Sequence, residues 1–367
     1  MAGAIKHDTY IKHPSSLFTD AAKVASTTFI LSMAFKYSTR NIKKLSFRSP
    51  MSTYVRQNQT FTLPDGRQLG YAEYGDHNGT PILYFHGYPS SRLEAYAIDD
   101  IARRQHTRLL ALDRPGFGLS TPQPNRSITD WPADVSAFAK GMQLSRFAVL
   151  GASGGGPYAL ACAHGLPQET LTGVGLFASG PPWAGGAHHN SIYRRATRAM
   201  SIYWPTGLRI LFDVLVRVST WLVHSGPVSR RIDRWLEQED KNKEDSHQEP
   251  NKTSTMITPK KTTAERRLEL VHALLEEPFA QGGKAAVEEA RLLSSDDWGF
   301  SFESVRHNPV IIWHGAKDTN APVALIRYMV KKLPYCIYHE FEGDTHYTMF
   351  KHIEGAIEEL VSEKKCR

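Results

Sequence analysis

RFAVLGASGGGPYALACAHG, residues 146–165, is the stretch on which the reading of this chain turns. RFAVLG (146–151) is a continuous apolar run of strand length. PYALACAHG (157–165) reads as a helix, opened by Pro157 and ended by Gly165 with Pro167 beyond it. Between the two lies Gly151-Ala152-Ser153-Gly154-Gly155, a G-x-S-x-G pattern. A chain of this length contains the bare pattern by chance about one time in ten, so the flanks decide its meaning. Strand, tight turn and helix is the setting in which such a serine is a nucleophile.

The requirement is steric. A serine at the tip of a strand-to-helix turn sits in strained backbone and projects its hydroxyl. Strand and helix approach closely on either side, and Gly151 and Gly155 remove the side chains that would collide. Ala159, Ala161 and Ala163 keep the helix slim. The helix N-terminus adds partial positive charge under a developing oxyanion.

Working outward, QTFTLPDGRQLGYAEYG (59–75) reads as two strands joined by a Pro64-Asp65-Gly66 turn. Short apolar runs follow at PILYF (81–85), RLLALD (108–113) and LTGVGLFAS (171–179), then at PVIIWHG (309–315) and CIYHEFEG (336–343). Runs of this kind suit strands buried on both faces of a parallel sheet. From Asp130 to Leu144 the spacing of Trp131, Val135, Phe138 and Met142 predicts a helix, with Thr129 or Asp130 as its cap. Strands alternating with helices predict an α/β fold, with a mostly parallel central sheet flanked by helices.

The alternation breaks at Pro181. Residues 181–305 are helix-like and aromatic, with Trp183, Tyr203, Trp204, Trp221 and Trp235, and Ile210, Val214 and Arg217/Val218 in amphipathic spacing. They are expected to form a helical lid inserted late in the sheet, over its C-terminal edge. The tryptophans are expected in the lid core, with some lining an apolar substrate pocket. Within the lid, residues 237–263 have almost no apolar residue and are expected to be a disordered charged loop. The expected α/β core is therefore 57–180 together with 306–367.

A nucleophilic serine needs a base, because its hydroxyl is barely ionised near neutrality. The order serine, acid, histidine places the acid after a late strand and the histidine after the last. Asp318 follows PVIIWHGAK and His346 follows CIYHEFEGDT, the required positions. Asp344 is the rival acid, but it lies two residues from His346, too close to orient the ring from behind. The oxyanion needs two backbone donors. Gly154 supplies one, and the loop HGYPSS (86–91) supplies the other through the Tyr88 amide. His86, Asp113 and Arg114 are read as bracing residues.

HGYPSS (86–91), DRPGFGLS (113–120), GASGGGPYAL (151–160), WHGAKD (313–318) and GDTH (343–346) together resemble an α/β-hydrolase-fold enzyme of the capped esterase and epoxide-hydrolase-like branch. The likeness covers about half the chain and does not extend to the lid. In that family an HGxP loop often accompanies an aspartate nucleophile that opens epoxides or displaces halide. A serine at the position argues for acyl transfer instead, on esters, lactones, thioesters or amides. Carbon–carbon bond hydrolysis, aminopeptidase cleavage, non-hydrolytic chemistry and a slow-turnover receptor are the alternatives. The expected ligand is a small to medium, fairly apolar molecule, with no cofactor and no metal.

Other signals are weak. Gly173-Val174-Gly175-Leu176-Phe177-Ala178 fits a loose dinucleotide pattern but leads into Pro181-Pro182, not a helix. His188 and His189 are adjacent, poor geometry for two ligands of one metal. The net charge of +7 is already present in residues 1–56, which hold nine Lys/Arg against Asp8 and Asp20. The rest is neutral in sum, so no nucleic-acid partner is expected. The longest uncharged apolar run near the start, Val24 to Phe35, is too short to span a membrane. Cys162, Cys336 and Cys366 form no close-spaced pair, which favours a reducing, intracellular and cytoplasmic setting, with Cys162 buried. The composition of residues 1–56 resembles a mitochondrial transit peptide, against an untargeted extension or a start at Met51. Oligomeric state is not readable.

Overall fold

The computed structural model describes residues 56–246 and 261–362. The expectations for a leader and for Met51 lie outside these residues, as does Cys366. Eight strands make one sheet: β1 (Gln59–Thr62), β2 (Gln68–Gly75), β3 (Thr80–Phe85), β4 (Thr107–Leu112), β5 (Phe147–Ala152), β6 (Leu171–Phe177), β7 (Val310–Gly315) and β8 (Cys336–Phe341). Their order is β1-β2-β4-β3-β5-β6-β7-β8. β1 pairs antiparallel with β2, and β2 with β4, while all other pairings are parallel. The apolar runs at 81–85, 108–113, 146–151 and 309–315 are strands because helices cover both faces, as in β7, where every residue is buried.

One face packs on α2 (Trp131–Gly141) and α3 (Gly156–Gly165), with Val135, Phe138, Tyr158 and Cys162 fully buried. The other packs on α1 (Asp99–Arg104) and the C-terminal helix Ile353–Val361, through Ala102, Ile357 and Leu360. Helix α2 stops at Gly141, short of the expected Leu144, because Gln143 takes a left-handed φ of 58°. Neither Thr129 nor Asp130 caps it through a side chain; instead the Asp130 carboxylate accepts from the Ser127 amide at 2.8 Å.

Between β6 and β7 the chain forms α4 (Ile192–Tyr203), α5 (Pro205–His224), α6 (Gly226–Ser246), α7 (Thr263–Val271) and α8 (Lys284–Leu293). Two expectations need correction. Residues 237–246 are not a loop but the end of α6, Glu, Gln and Lys being good helix formers. Of the rest of the expected loop, 247–260 lies outside the described residues, residues 261 and 262 are non-helical, and Thr263 already begins α7. Trp183 is buried and Trp235 half-buried, but Trp204 and Trp221 are 63% and 58% exposed. Helix α5 buries Leu208, Phe212, Leu215 and Ser219, so the row Ile210, Val214, Arg217 points away from the core. After β7 come α9 (Val323–Lys332) and, after β8, α10 (Ile353–Val361).

Candidate active site

Every predicted site residue leaves the C-terminal end of a parallel strand. Ser153 follows β5, Tyr88 follows β3, Asp318 follows β7 and His346 follows β8. β3 and β5 are sheet neighbours, so the loop carrying Tyr88 lies beside the serine turn.

Ser153 has a left-handed φ of 48°, the strained geometry expected of a projecting side chain. Its carbonyl accepts from the Gly180 amide at 2.6 Å, which ties the turn to the chain leaving β6. The glycines are required by contact. A Cβ on Gly151 would strike the Gly155 carbonyl, and one on Gly155 the Phe85 carbonyl. A Cβ on Gly154 would lie 2.7 Å from Tyr88 Cβ and 3.1 Å from Tyr88 N, so these two backbones face each other. Among the described residues the Tyr88 amide has no protein acceptor. The Gly154 amide lies in the first turn of a helix, where N–H groups lack intrahelical acceptors.

The structure brings Ser153, His346 and Asp318 together. Ser153 Oγ is 3.0 Å from His346 Nε2, and His346 Nδ1 is 2.6 Å from Asp318 Oδ2. A carboxylate only accepts, so Nδ1 carries the proton and Nε2 is free to take the serine's. Asp318 is buried, which pushes its pKa up, but His346 as charge and donor outweighs this and holds it below the usual carboxylate value. Its second oxygen accepts from the amides of Asn320 and Ala321 at 2.8 and 2.7 Å. The rival Asp344 faces elsewhere. It accepts from Thr348 Oγ1 and pairs with Lys351 and His352, each at 2.8 Å.

The loop after β3 is held from two sides. The Gly87 amide donates to Glu94 at 3.0 Å, and Tyr84 Oη donates to the same carboxylate at 2.5 Å. Arg114 donates to the carbonyls of His86 and Gly87 and, through Nε, to Glu289 at 2.6 Å. Glu289 on α8 also accepts from Arg126 and, at 2.8 Å, from Tyr158 Oη. Burial raises its pKa, but Arg114 and Arg126 overcome that and keep it ionised. His86 is buried beside Arg114, both of which push its pKa well down and keep it neutral. Its Nε2 accepts from the Arg114 amide at 3.2 Å. Asp113 accepts from the Arg92 amide and Nη1 at 2.6 and 2.8 Å.

Sequence reasoning missed Glu94, Arg126, Tyr158 and Glu289. Glu94 carried a signal, since it stands three residues after Ser91 in a capping pattern. The insertion reaches the site's rim at two points. Tyr88 Oη donates to the Ala286 carbonyl at 2.7 Å, and Arg194 Nη1 to the Asn320 carbonyl at 2.7 Å. Neither of two surface hollows, about 390 and 590 Å³, is lined by Ser153, Asp318 or His346. Among the described residues, no group of three or more His, Cys, Asp or Glu could hold a metal ion.

The model of the alpha/beta hydrolase family matches residues 82–360, most of the chain. The chain belongs to the alpha/beta hydrolase family. That membership supports a hydrolase activity. A proline iminopeptidase of Xylella fastidiosa (strain 9a5c) is 33% identical over 113 residues, 29% of this alpha/beta hydrolase and 34% of that protein. A non-heme chloroperoxidase of Streptomyces lividans is 30% identical over 126 residues, 34% of this chain and 45% of that one. The chain thus spans less than half the length of these curated relatives. Among solved structures, an enol-lactonase from Burkholderia xenovorans LB400 superposes with a TM-score of 0.55 at 14% identity, covering 83% of this chain and 100% of that one. An esterase from Exiguobacterium antarcticum does so with a TM-score of 0.52 at 15% identity, over 83% and 98%. At such identities the likeness is one of fold.

Proposed function

We propose that this alpha/beta hydrolase is a serine hydrolase that cleaves an ester, lactone or related acyl bond of a small to medium apolar substrate. The observation that carries the reading is the continuous relay from Ser153 Oγ through His346 to Asp318, at 3.0 and 2.6 Å. Ser153 attacks the carbonyl while His346 Nε2 takes its proton. The imidazolium that forms is stabilised by Asp318. Negative charge on the carbonyl oxygen is met by the amides of Gly154 and Tyr88, each donor contributing about 3 kcal/mol in the transition state. His346 then returns its proton to the leaving group, and water, activated by the same imidazole, frees the acyl enzyme. The helical insertion serves as a lid, in keeping with its contacts to Tyr88 and to the Asn320 carbonyl.

A fluorophosphonate probe tests the reading. Fast stoichiometric labelling, abolished in Ser153→Ala, is expected, with turnover on activated esters falling about 10⁴–10⁶-fold in that variant. A variant keeping a tenth of wild-type turnover would overturn the assignment. Labelling without turnover on any panel of esters, lactones and peptides would favour a receptor.

A further inference from the structure

We propose that the outer face of α4 and α5 docks on an anionic lipid bilayer. This goes beyond the hydrolase reading and does not depend on it. Of eleven large apolar side chains exposed among the described residues, eight lie between Ile192 and Trp221. On α5, Ile210, Val214, Arg217 and Trp221 recur at spacings of 4, 3 and 4 and share one outward face, opposite buried Leu208, Phe212 and Leu215. Just before it stand Tyr203 and Trp204, 85% and 63% exposed. The Trp204 ring lies against Gly207, where a Cβ would collide with it, so the indole is seated on the helix. Isolated exposed apolar residues are ordinary, but a contiguous set on one helix face marks an interaction surface.

Charge decides the occupant. Although residues 57–367 are neutral in sum, residues 181–236 hold eight arginines against two acids, Asp213 and Asp233. Both acids are already paired, with Arg209 and Arg267. Arg195 and Arg217 are exposed and pair with no acid among the described residues. A second copy of this face, or the basic segment 1–56, would bring like charge against it. An anionic bilayer takes the arginines at its phosphates and the Trp, Tyr and Ile side chains at the headgroup–acyl boundary. Among the described residues no helix is long and apolar enough to cross a membrane, so the contact is in-plane.

The test is co-sedimentation of the full chain with vesicles of phosphatidylcholine alone or with 30% phosphatidylglycerol. Three variants are compared with wild type: Trp204→Ser/Trp221→Ser, Arg195→Gln/Arg217→Gln, and Ser153→Ala. Wild type and Ser153→Ala are expected to bind anionic vesicles at least about tenfold more tightly than neutral ones, and less so as salt rises. Each surface variant should lose about tenfold while fluorophosphonate labelling stays within twofold. Wild-type binding in both surface variants would place the contact elsewhere and overturn the proposal. So would failure of wild type to sediment, or a concentration-dependent dimer abolished by the tryptophan changes.

Discussion

Arg114, on the loop after β4, and Glu289, on α8 of the insertion, are both fully buried and meet at 2.6 Å across 175 residues of sequence. The same guanidinium holds the His86 and Gly87 carbonyls, so an inserted helix helps to fix the loop that carries the Tyr88 amide. Glu289→Gln would leave Arg114 and Arg126 without a counter-charge. A loss of about 3–5 kcal/mol in urea unfolding is expected, with a fall in turnover at temperatures where the variant is still folded. Unchanged stability would mean that the arginines find another partner.

Asp318 and Asp344 make a paired test of the acid. Asp318→Asn keeps the shape but presents the wrong hydrogen-bonding partner to His346 Nδ1, and kcat is expected to fall about 10³–10⁴-fold. Asp344→Asn removes pairing to Lys351 and His352, outside the relay, and kcat should stay within a few-fold. Steady-state rates on one activated ester decide this. The opposite pattern would make Asp344 the acid.

Gly155→Ala probes the serine turn without altering Ser153, Asp318 or His346. The added methyl meets the Phe85 carbonyl, so β3 and the turn must part. Loss of soluble protein, or at least about 3 kcal/mol of stability with no probe labelling, is expected.

His307 is 4% exposed, its Nδ1 has no partner, and burial lowers its pKa to about 4. A histidine whose folded pKa lies below its unfolded value of about 6.5 contributes fully above pH 6.5 and loses that contribution as pH falls toward 4. The loss is on the order of 3 kcal/mol by pH 4. His307→Gln should therefore show a shallower fall in unfolding free energy between pH 7 and pH 4.5. Parallel wild-type and variant curves would show that His307 is not the group responsible.

The central strands were legible because burial on both faces writes an unbroken apolar run, and β7 is buried along its whole length, whereas β8, read in the same way, lies at the sheet edge and is only half-buried. Ser153, Asp318 and His346 were legible because each follows a strand end in a fixed order. Glu289 was not, because nothing local distinguishes a carboxylate on an amphipathic helix from one that meets an arginine 175 residues away. The direction of Trp204 and Trp221 was not legible either. An aromatic residue at helical spacing reads as core, and only neighbours in space show that α5 buries its other side. The charge on 181–236 was hidden by summation with acidic stretches elsewhere.

The inserted helices leave from β6 and return to β7, two strands that are hydrogen-bonded neighbours pairing Phe177 with Trp313. A detour between adjacent strands can grow, shrink or be exchanged at a cost in chain entropy that rises only with the logarithm of its length. The sheet would keep the spacing of Ser153, Asp318 and His346, provided that the Glu289 contact to Arg114, which holds the loop carrying Tyr88, is retained. Under the proposed reading, selection could rewrite what such an enzyme admits while Ser153, Asp318 and His346 stay where they are.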